Sequence, residues 1–235
     1  MAEAGPTAIV TGAGSGIGAS VASRLTASGY EVVALDITFP ESSSGRAAHR
    51  LVGDVADPGT AASALDRLGG PVDVVVNAAA IRPTGPAAQV RQNDWRRAFE
   101  VNVVGAASLV RAAEPRLRDG HACILNIASG AAFGKRNLGA YGASKAALVS
   151  WSRTLATELA PRGIRVNVVV PGATETGMLA EARATGTGTD SARAARNLGG
   201  VVLDPDVVAA DIEGLIALRT VTGAVVPVGL LPWEW

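Results

Sequence analysis

The stretch Thr11-Gly-Ala-Gly-Ser-Gly-Ile-Gly18 decides the fold, because of what lies on either side of it. The apolar run from Thr7 to Thr11 (TAIVT) has the length of a buried strand and stops at a glycine. From Ile17 to Ser28, apolar residues recur every four positions, which is helical spacing. The sequence therefore predicts a strand, a tight glycine-rich turn and a helix.

The same alternation of strand and helix continues along the chain. Further strands are predicted at Glu31–Asp36, Arg50–Gly53, Val72–Val76, Ala122–Ile127, Ile164–Val170 and Thr222–Val228. Further helices are predicted at Thr60–Leu68, Asn93–Leu117, Ala140–Leu159 and Pro205–Leu218. Several strands are near-continuous valine and isoleucine runs, which indicates strands covered on both faces. We therefore expect an α/β fold, a Rossmann-type doubly wound parallel sheet of about seven strands with helices on both faces.

Composition limits the function classes. The chain has 235 residues, 48% of them hydrophobic and 18% charged, which favours one domain over residues 1–235 with a sizeable core. Lys and Arg total 21, as do Asp and Glu, so the formal net charge is zero. This balance argues against a nucleic-acid partner and against a polybasic membrane anchor.

The numbers of cysteines and histidines limit the expected compartment and metal chemistry. Cys123 is the only cysteine, so no intramolecular disulfide forms and a reducing compartment is expected. With two histidines, the chain has too few ligands for a structural zinc site, and no metal is predicted. The segment from Met1 to Pro6 does not resemble a signal peptide, and the apolar runs are strand-length. We therefore expect a soluble, cytoplasmic protein.

The glycine-rich turn has the chemistry of an anion site. Glycines let the backbone approach a pyrophosphate closely, and the N-terminus of the next helix offers free N–H groups and a positive dipole end. The alternative is a glycine-rich turn that holds no ligand. In the first interpretation, a dinucleotide is held by Gly12, Ser15, Gly16, Ile17 and Gly18.

Acidic residues after the next strands refine the ligand. Asp36 closes the second strand, where a carboxylate can accept hydrogen bonds from adenosine ribose hydroxyls and would repel a 2′-phosphate. Neither Ser15 nor Ile37 supplies a cation for such a phosphate, so NAD(H) is predicted over NADP(H). Asp54, after the third strand, could accept from the adenine amino group. Asp36 could instead only cap a strand end, and Asp54 could be an ordinary turn residue.

A second group of polar residues predicts proton transfer. Tyr141 and Lys145 lie four residues apart and share one face of a predicted helix. A free phenol has a pKa of about 10, and a nearby ammonium lowers it, as a tyrosine general acid/base requires. Ser129 follows the fifth strand, where its hydroxyl could hold a substrate oxygen, and Asn102 needs a backbone or water partner within an apolar helix. Taken alone, the Tyr–Lys pair could be structural.

Together these features resemble the short-chain dehydrogenase/reductase family, in its short single-domain branch. The resemblance spans Thr7 to Val228. It rests on Thr11–Gly18, Asp36, Asn77, Asn102, Ser129, Tyr141, Lys145 and Pro171–Gly172.

The resemblance implies a role for each catalytic position. Tyr141 would be the proton donor or acceptor, and Lys145 would lower its pKa and bind the nicotinamide ribose. Ser129 would orient the reacting oxygen, Asn102 would hold a water on a proton path, and Thr176 would contact the nicotinamide carboxamide. A homotetramer is implied as well. Further cofactor contacts are expected at Asp54, Val55, Asn77, Ala78, Ala79, Tyr141, Lys145, Pro171, Gly172 and Thr174.

Two positions depart from the family pattern. Ala80 stands where the family usually has glycine after the fourth strand, so cofactor packing is expected to differ slightly. The usual closing Val-Asp-Gly-Gly is replaced by Val228-Gly-Leu-Leu231, and the chain ends in Trp233-Glu-Trp235. This tail could be packed at an interface or form a wall of a neighbouring subunit's pocket.

The substrate is expected to bind under the segment 177–203, a predicted lid whose stretch Gly177–Gly200 looks irregular. Arg82, Lys135 and Arg136 flank the predicted pocket, and one of them could pair with a substrate carboxylate. The alternative is that all three are solvated loop cations. Several stretches, among them Pro171-Gly-Ala-Thr-Glu-Thr176, are similar to NAD-dependent dihydrodiol dehydrogenases of catecholate siderophore biosynthesis.

The resulting prediction is an NAD(H)-dependent oxidoreductase that interconverts a small cyclic secondary alcohol and its ketone. A dihydrodiol-carboxylate dehydrogenase of siderophore or secondary-metabolite biosynthesis is the alternative within the family. An NAD-binding scaffold, or a protein of the same fold that performs a non-redox step, is the alternative from another class.

Overall fold

The structure is a computed structural model that describes residues 5–40, 49–184 and 196–231. Two sequence-based predictions lie wholly or partly outside these residues. They concern the Thr185–Thr189 part of the predicted lid and the tryptophans Trp233 and Trp235.

Seven parallel strands form one sheet in the order β3-β2-β1-β4-β5-β6-β7. The strands are β1 Thr7–Thr11, β2 Glu31–Asp36, β3 His49–Val52, β4 Val74–Asn77, β5 Cys123–Ile127, β6 Arg165–Pro171 and β7 Val225–Val228. The helices are α1 Gly16–Ala27, α2 Thr60–Leu65, α3 Gln92–Phe99, α4 Ala106–Ala113, α5 Gly139–Leu159, α6 Gly177–Ala184 and α7 Pro205–Ala217.

Helices cover both faces of the sheet, so the chain has two hydrophobic cores. On one face, Leu25 of α1 and Ile212 of α7 pack in one cluster with Val74 and Val76 of β4. On the other, Leu109 of α4 and Leu159 of α5 pack on Val75 and its neighbours. This arrangement explains the continuous apolar strands and confirms the predicted doubly wound α/β fold.

The strand order reverses between β1 and β4, and this reversal positions the site. Thr11, the last residue of β1, is in register with Leu35 of β2 and with Asn77 of β4. The turns that follow these strands therefore meet at one edge of the sheet. In open α/β sheets, ligands bind in the crevice outside the carboxyl ends of the strands at such a point.

The predicted helix over Asn93–Leu117 is interrupted. A π-helical segment, Glu100–Gly105, separates α3 from α4, and a 3₁₀ turn at Glu114–Arg116 contains the proline. The π-helical segment carries Asn102, whose side chain bonds to backbone outside the helix. Such segments are frequent at functional sites, and the apolar spacing gave no sign of this one.

The prediction of irregular structure over Gly177–Gly200 was wrong for its first third. Gly177–Ala184 is helix α6, because Leu179 and Ala182 lie three residues apart and bury one face. The glycines and threonines further along the stretch obscured this short amphipathic pattern. A 3₁₀ turn follows at Leu198–Gly200.

Over the described ranges, no helix is both long and apolar enough to span a membrane. The same residues contain no group of three or more His, Cys, Asp or Glu side chains suited to a metal ion.

Candidate active site

A cavity of about 650 Å³ opens at the carboxyl edge of the sheet. Its size lies within the range of ligand sites in proteins. Most of the predicted site residues line it. They are Gly12, Ser15, Gly16, Ile17, Asp36, Asp54, Val55, Ala78, Ala79, Arg82, Ser129, Lys135, Tyr141, Lys145, Pro171, Gly172, Thr174 and Thr176. Four predicted residues are not among the lining residues: Gly18, Asn77, Asn102 and Arg136.

The glycine-rich turn forms one wall of this cavity and fits a dinucleotide. Ser15 is the N-cap of α1, so the first backbone N–H groups of that helix lie beside the cavity. Gly16 has φ of 54°, and a Cβ there would lie 2.9 Å from Thr176 Cγ2. A side chain at Gly16 would therefore be strained and would crowd Thr176, so glycine keeps the backbone of the turn open to the cavity. The site suits the pyrophosphate of a nicotinamide dinucleotide.

Backbone groups fix the carboxylate of Asp36 at the end of β2. Asp36 Oδ2 accepts from Gly14 N at 2.8 Å, and Oδ1 accepts from Thr38 N at 3.2 Å. A Cβ on Gly14 would lie 2.1 Å from the carbonyl oxygen of Thr38, so this contact requires glycine. The anion is thus held in one orientation beside the cavity.

Asp54 lies at the cavity, but its carboxylate already has two donors. Oδ1 accepts from Ala56 N at 2.9 Å, which is the turn geometry of the alternative interpretation. The guanidinium of Arg97 binds Oδ2. Burial acts to raise the pKa of Asp54, but the hydrogen bond from Ala56 and the charge of Arg97 outweigh it and lower that pKa. Sequence reasoning missed Arg97, because the helical pattern of α3 does not show which turn its arginines reach.

Three residues predicted to be catalytic, Ser129, Tyr141 and Lys145, line the cavity near the end of β5 and along α5. Ser129 and Tyr141 line the same cavity, close enough for the Ser129 hydroxyl to act to lower the pKa of the phenol, and Ser129 Oγ accepts from Ala131 N at 3.2 Å. Lys145 Nζ lies 5.9 Å from the centre of the Tyr141 ring and donates to the carbonyl oxygen of Ile127 at 2.7 Å. Lys145 is 2% exposed and Tyr141 is 6% exposed.

Burial controls the ionisation of this group. It raises the pKa of Tyr141, while the Ser129 hydroxyl and the charge of Arg82 act in the opposite direction. Burial also lowers the pKa of Lys145 to about 8. The net pKa of Tyr141 is therefore raised, and the lowering expected from the Lys145 ammonium stays a prediction. Desolvation of the phenol outweighs the nearby charges, since a buried phenolate loses its hydration.

Asn102 lies behind the cavity wall and joins two parts of the site. Its Oδ1 accepts from Ile81 N at 2.8 Å, and its Nδ2 donates to the carbonyl oxygen of Ile81 at 3.0 Å and to Ser144 Oγ at 2.9 Å. Ser144 Oγ in turn donates to the carbonyl oxygen of Tyr141 at 2.7 Å. The backbone partner expected for this buried amide is thus Ile81, and the water that the family resemblance implies stays a prediction.

A second buried polar chain supports the same edge of the sheet. Asn77 Nδ2 donates to Asn126 Oδ1 at 2.8 Å, and Asn126 Nδ2 donates to Ser152 Oγ at 2.8 Å. These bonds tie β4 to β5 and to α5, directly beneath the site. Asn77 therefore contacts the sheet and not the cavity. Because its partners come from distant segments, the sequence could not show them.

The chain belongs to the short-chain dehydrogenase/reductase family. The family model described as short chain dehydrogenase matches residues 6–186. Members of this family are oxidoreductases that act on alcohols and carbonyls with nicotinamide cofactors, which agrees with the class that the fold and the site define.

Relatives with assigned activities are similar over most of the chain. It is 39% identical over 183 residues to 2,3-dihydro-2,3-dihydroxybenzoate dehydrogenase of Escherichia coli, covering 76% of this chain and 73% of that one. It is 35% identical over 240 residues to cis-4-hydroxycyclohexanecarboxylate dehydrogenase of Sinomonas cyclohexanicum, covering 94% of each.

Solved structures agree with this assignment. A putative NAD(P)-dependent gluconate 5-dehydrogenase from Beutenbergia cavernae with bound NADP superimposes with a TM-score of 0.85. The two chains are 35% identical, and the match covers 96% of this chain and 95% of that one.

Proposed function

We propose that this protein is an NAD(H)-dependent dehydrogenase that interconverts a small cyclic secondary alcohol and the corresponding ketone. The observation that carries the proposal is that Ser129, Tyr141 and Lys145 line the same cavity as the glycine-rich turn, with Lys145 Nζ 5.9 Å from the centre of the Tyr141 ring. A dinucleotide site and a proton-transfer group in one cavity are what alcohol oxidation requires.

In this proposal the substrate hydroxyl lies between Ser129 and Tyr141. NAD, when bound, supplies the acceptor for the hydride that leaves the carbinol carbon. The Tyr141 phenolate takes the hydroxyl proton, so that the C–O single bond becomes a carbonyl, and Ser129 donates a hydrogen bond to that oxygen. In the reverse direction, the Tyr141 hydroxyl returns the proton.

In its protonated form, Lys145 would favour the phenolate through its positive charge. Its hydrogen bond to the carbonyl oxygen of Ile127 fixes the ammonium at the end of β5. Because burial raises the pKa of Tyr141, we expect alcohol oxidation to accelerate as the pH rises above neutrality. The reduction of a ketone needs the protonated phenol, so its rate should fall over the same range.

The geometry of Asp36 favours NAD over NADP. Its carboxylate is held by two backbone N–H groups and lines the cavity, where it can accept from ribose hydroxyls. A 2′-phosphate at this point would meet a fixed negative charge. Ile37, the next residue, also lines the cavity and offers such a phosphate no cation.

Two observations support a small cyclic substrate. The two relatives described above are named for hydroxylated six-membered rings. Apolar side chains that suit such a ring line the cavity, namely Ile81, Leu138, Met178, Leu179 and Leu230. The lid, the homotetramer, the single domain and the cytoplasmic location remain predictions of the sequence and of the family resemblance.

The proposal is tested by following NADH absorbance with the purified protein over a panel of cyclic secondary alcohols, hydroxy acids and dihydrodiol acids. We expect turnover with NAD, weaker turnover with NADP, and a loss in kcat of about 10³-fold in Tyr141→Phe. Tyr30→Phe is the matched control, because Tyr30 lies in the core below α1 and should leave the rate unchanged.

Two results would contradict the proposal. One is full activity in Tyr141→Phe. The other is a protein that binds NAD but oxidises no panel member and reduces none of the corresponding ketones. The second result would favour the scaffold or the non-redox alternative.

A further inference from the structure

Charge is distributed unevenly along the cavity. The carboxylates of Asp36 and Asp54 lie together after β2 and β3, where Arg97 pairs with Asp54. Among the described lining residues, the other charged side chains are mostly cationic: Arg82, Lys135, Lys145 and Arg196, with Glu181 as the acid. Apart from Asp36, Asp54 and Arg97, the cavity lining therefore carries more cations than acids and suits an anion.

The hydrogen bonds between Asn102 and Ile81 fix the backbone next to Arg82. Asn102 holds both the N–H and the carbonyl oxygen of Ile81, and the same amide bonds Ser144, one turn from Tyr141. The residue after Ile81 therefore enters the cavity at a fixed distance from α5. Arg82 lies near enough to Tyr141 for its positive charge to act to lower the pKa of that phenol.

Lys135 comes from a second loop that is attached to the first. Gly85 N donates to the carbonyl oxygen of Asn137 at 2.9 Å, and Gly85 forms a parallel bridge with Leu138. This pairing joins the segment after Arg82 to the segment after Lys135. Two cations from two joined loops thus line the same cavity.

The cavity wall around Tyr141 is apolar. Leu138 and Tyr141 form a cluster with Ala131, and Met178 of α6 packs against it. A ligand that fits here has an apolar ring near Tyr141 and an anionic group near Arg82. An arginine guanidinium binds a carboxylate through two parallel hydrogen bonds, which also fixes the orientation of the ring.

We propose that Arg82, assisted by Lys135, forms a carboxylate-binding subsite, and that the substrate is a cyclic hydroxy acid. This inference rests on the proposed dehydrogenase function and adds the substrate class to it. Arg136, the third cation predicted from the sequence, is exposed and does not line the cavity, so it is not part of the subsite.

The subsite is tested by binding, without turnover. Benzoate and benzamide have the same shape and differ in charge, and their dissociation constants are measured by calorimetry on the NADH-bound protein. We expect benzoate to bind about 10-fold to 100-fold more tightly than benzamide, as a charged hydrogen-bonded pair allows. In Arg82→Gln the two constants should become equal within about threefold, since the cation that distinguishes them is gone.

Arg136→Gln is the matched control, because it removes an arginine from the same loop as Lys135 but outside the cavity. It should retain the preference for benzoate. Arg82→Lys keeps the charge but loses the two-pronged geometry, so an intermediate preference is expected. Lys135→Gln should reduce the preference about threefold, as for a single assisting charge.

Equal binding of benzoate and benzamide by the unmodified protein would overturn the subsite. So would an equal loss of preference in Arg82→Gln and Arg136→Gln, with both proteins folded by thermal melting. The result for the subsite can be distinguished from the result for the proposed function. NAD-dependent oxidation of uncharged cyclic alcohols, without a preference for benzoate, would support the dehydrogenase function and contradict the subsite.

Discussion

The two ends of the cavity are built by different means. At the end proposed to hold adenosine (the adenosine end), the backbone N–H groups of Gly14 and Thr38 hold the Asp36 carboxylate at 2.8 Å and 3.2 Å. Asp36 is only half-buried. At the catalytic end, a lysine and a tyrosine are buried at 2% and 6% exposure, and their ionisation is controlled by that burial. Recognition at the first end depends on the conformation of the backbone. Function at the second end depends on the proton affinities of Tyr141 and Lys145, which burial shifts at a cost in stability.

The largest effect expected from this difference is on the pH dependence of folding. Burial lowers the pKa of Lys145 from 10.5 to about 8. Between these values the unfolded chain binds more protons than the folded chain, so this lysine makes stability rise as the pH rises from about 8 to 10.5. The full difference amounts to about 3 kcal/mol.

Lys145→Met should remove this contribution. Relative to the variant, the unmodified protein should gain free energy of unfolding as the pH rises through that range, measured by denaturant unfolding at several pH values. Lys135→Met is the control, because Lys135 is exposed, and its curve should run parallel to that of the unmodified protein. Parallel curves for Lys145→Met as well would show that burial does not control this ammonium.

A smaller effect is expected at the adenosine end, and it should not depend on ionisation. In Gly14→Ala, the new methyl group would lie 2.1 Å from the carbonyl oxygen of Thr38 and 2.9 Å from Asp36 Cγ, so the turn must move. Loss of the fixed carboxylate should weaken NAD binding about 10-fold to 100-fold, the value of hydrogen bonds to a charged group. At saturating NAD, kcat should change little.

Gly59→Ala is the matched control, because a Cβ at Gly59 meets nothing within 4 Å. Fluorescence titration with NADH measures the affinity of each protein. If Gly14→Ala and Gly59→Ala bind NADH equally well, the backbone of the turn does not hold the adenosine end as described.

The same difference explains what the sequence could predict. The strands, the glycine-rich turn and Asp36 follow from local patterns, because glycine positions and strand ends specify the backbone there. Tyr141 and Lys145 follow from their spacing on one helix. These features were enough to predict the fold and the family, and both are confirmed.

Features that depend on long-range contacts could not be predicted from the sequence. The Asn102 clamp on Ile81, the pair between Arg97 and Asp54, and the chain from Asn77 to Ser152 join residues far apart in sequence. The direction of the Tyr141 pKa shift also required the fold, since it depends on how much water the surrounding residues exclude.

The proposed reaction passes a hydride from a cyclic secondary alcohol to NAD in this cavity. An isotope experiment with cis-4-hydroxycyclohexanecarboxylate, the compound named for a relative's activity, carrying deuterium on the carbinol carbon, tests this transfer. The purified protein and NAD are incubated with this compound, and the reduced cofactor is examined by mass spectrometry. We expect NADH that carries one deuterium per molecule formed. Reduced cofactor without deuterium, or a ketone formed without any reduced cofactor, would contradict it.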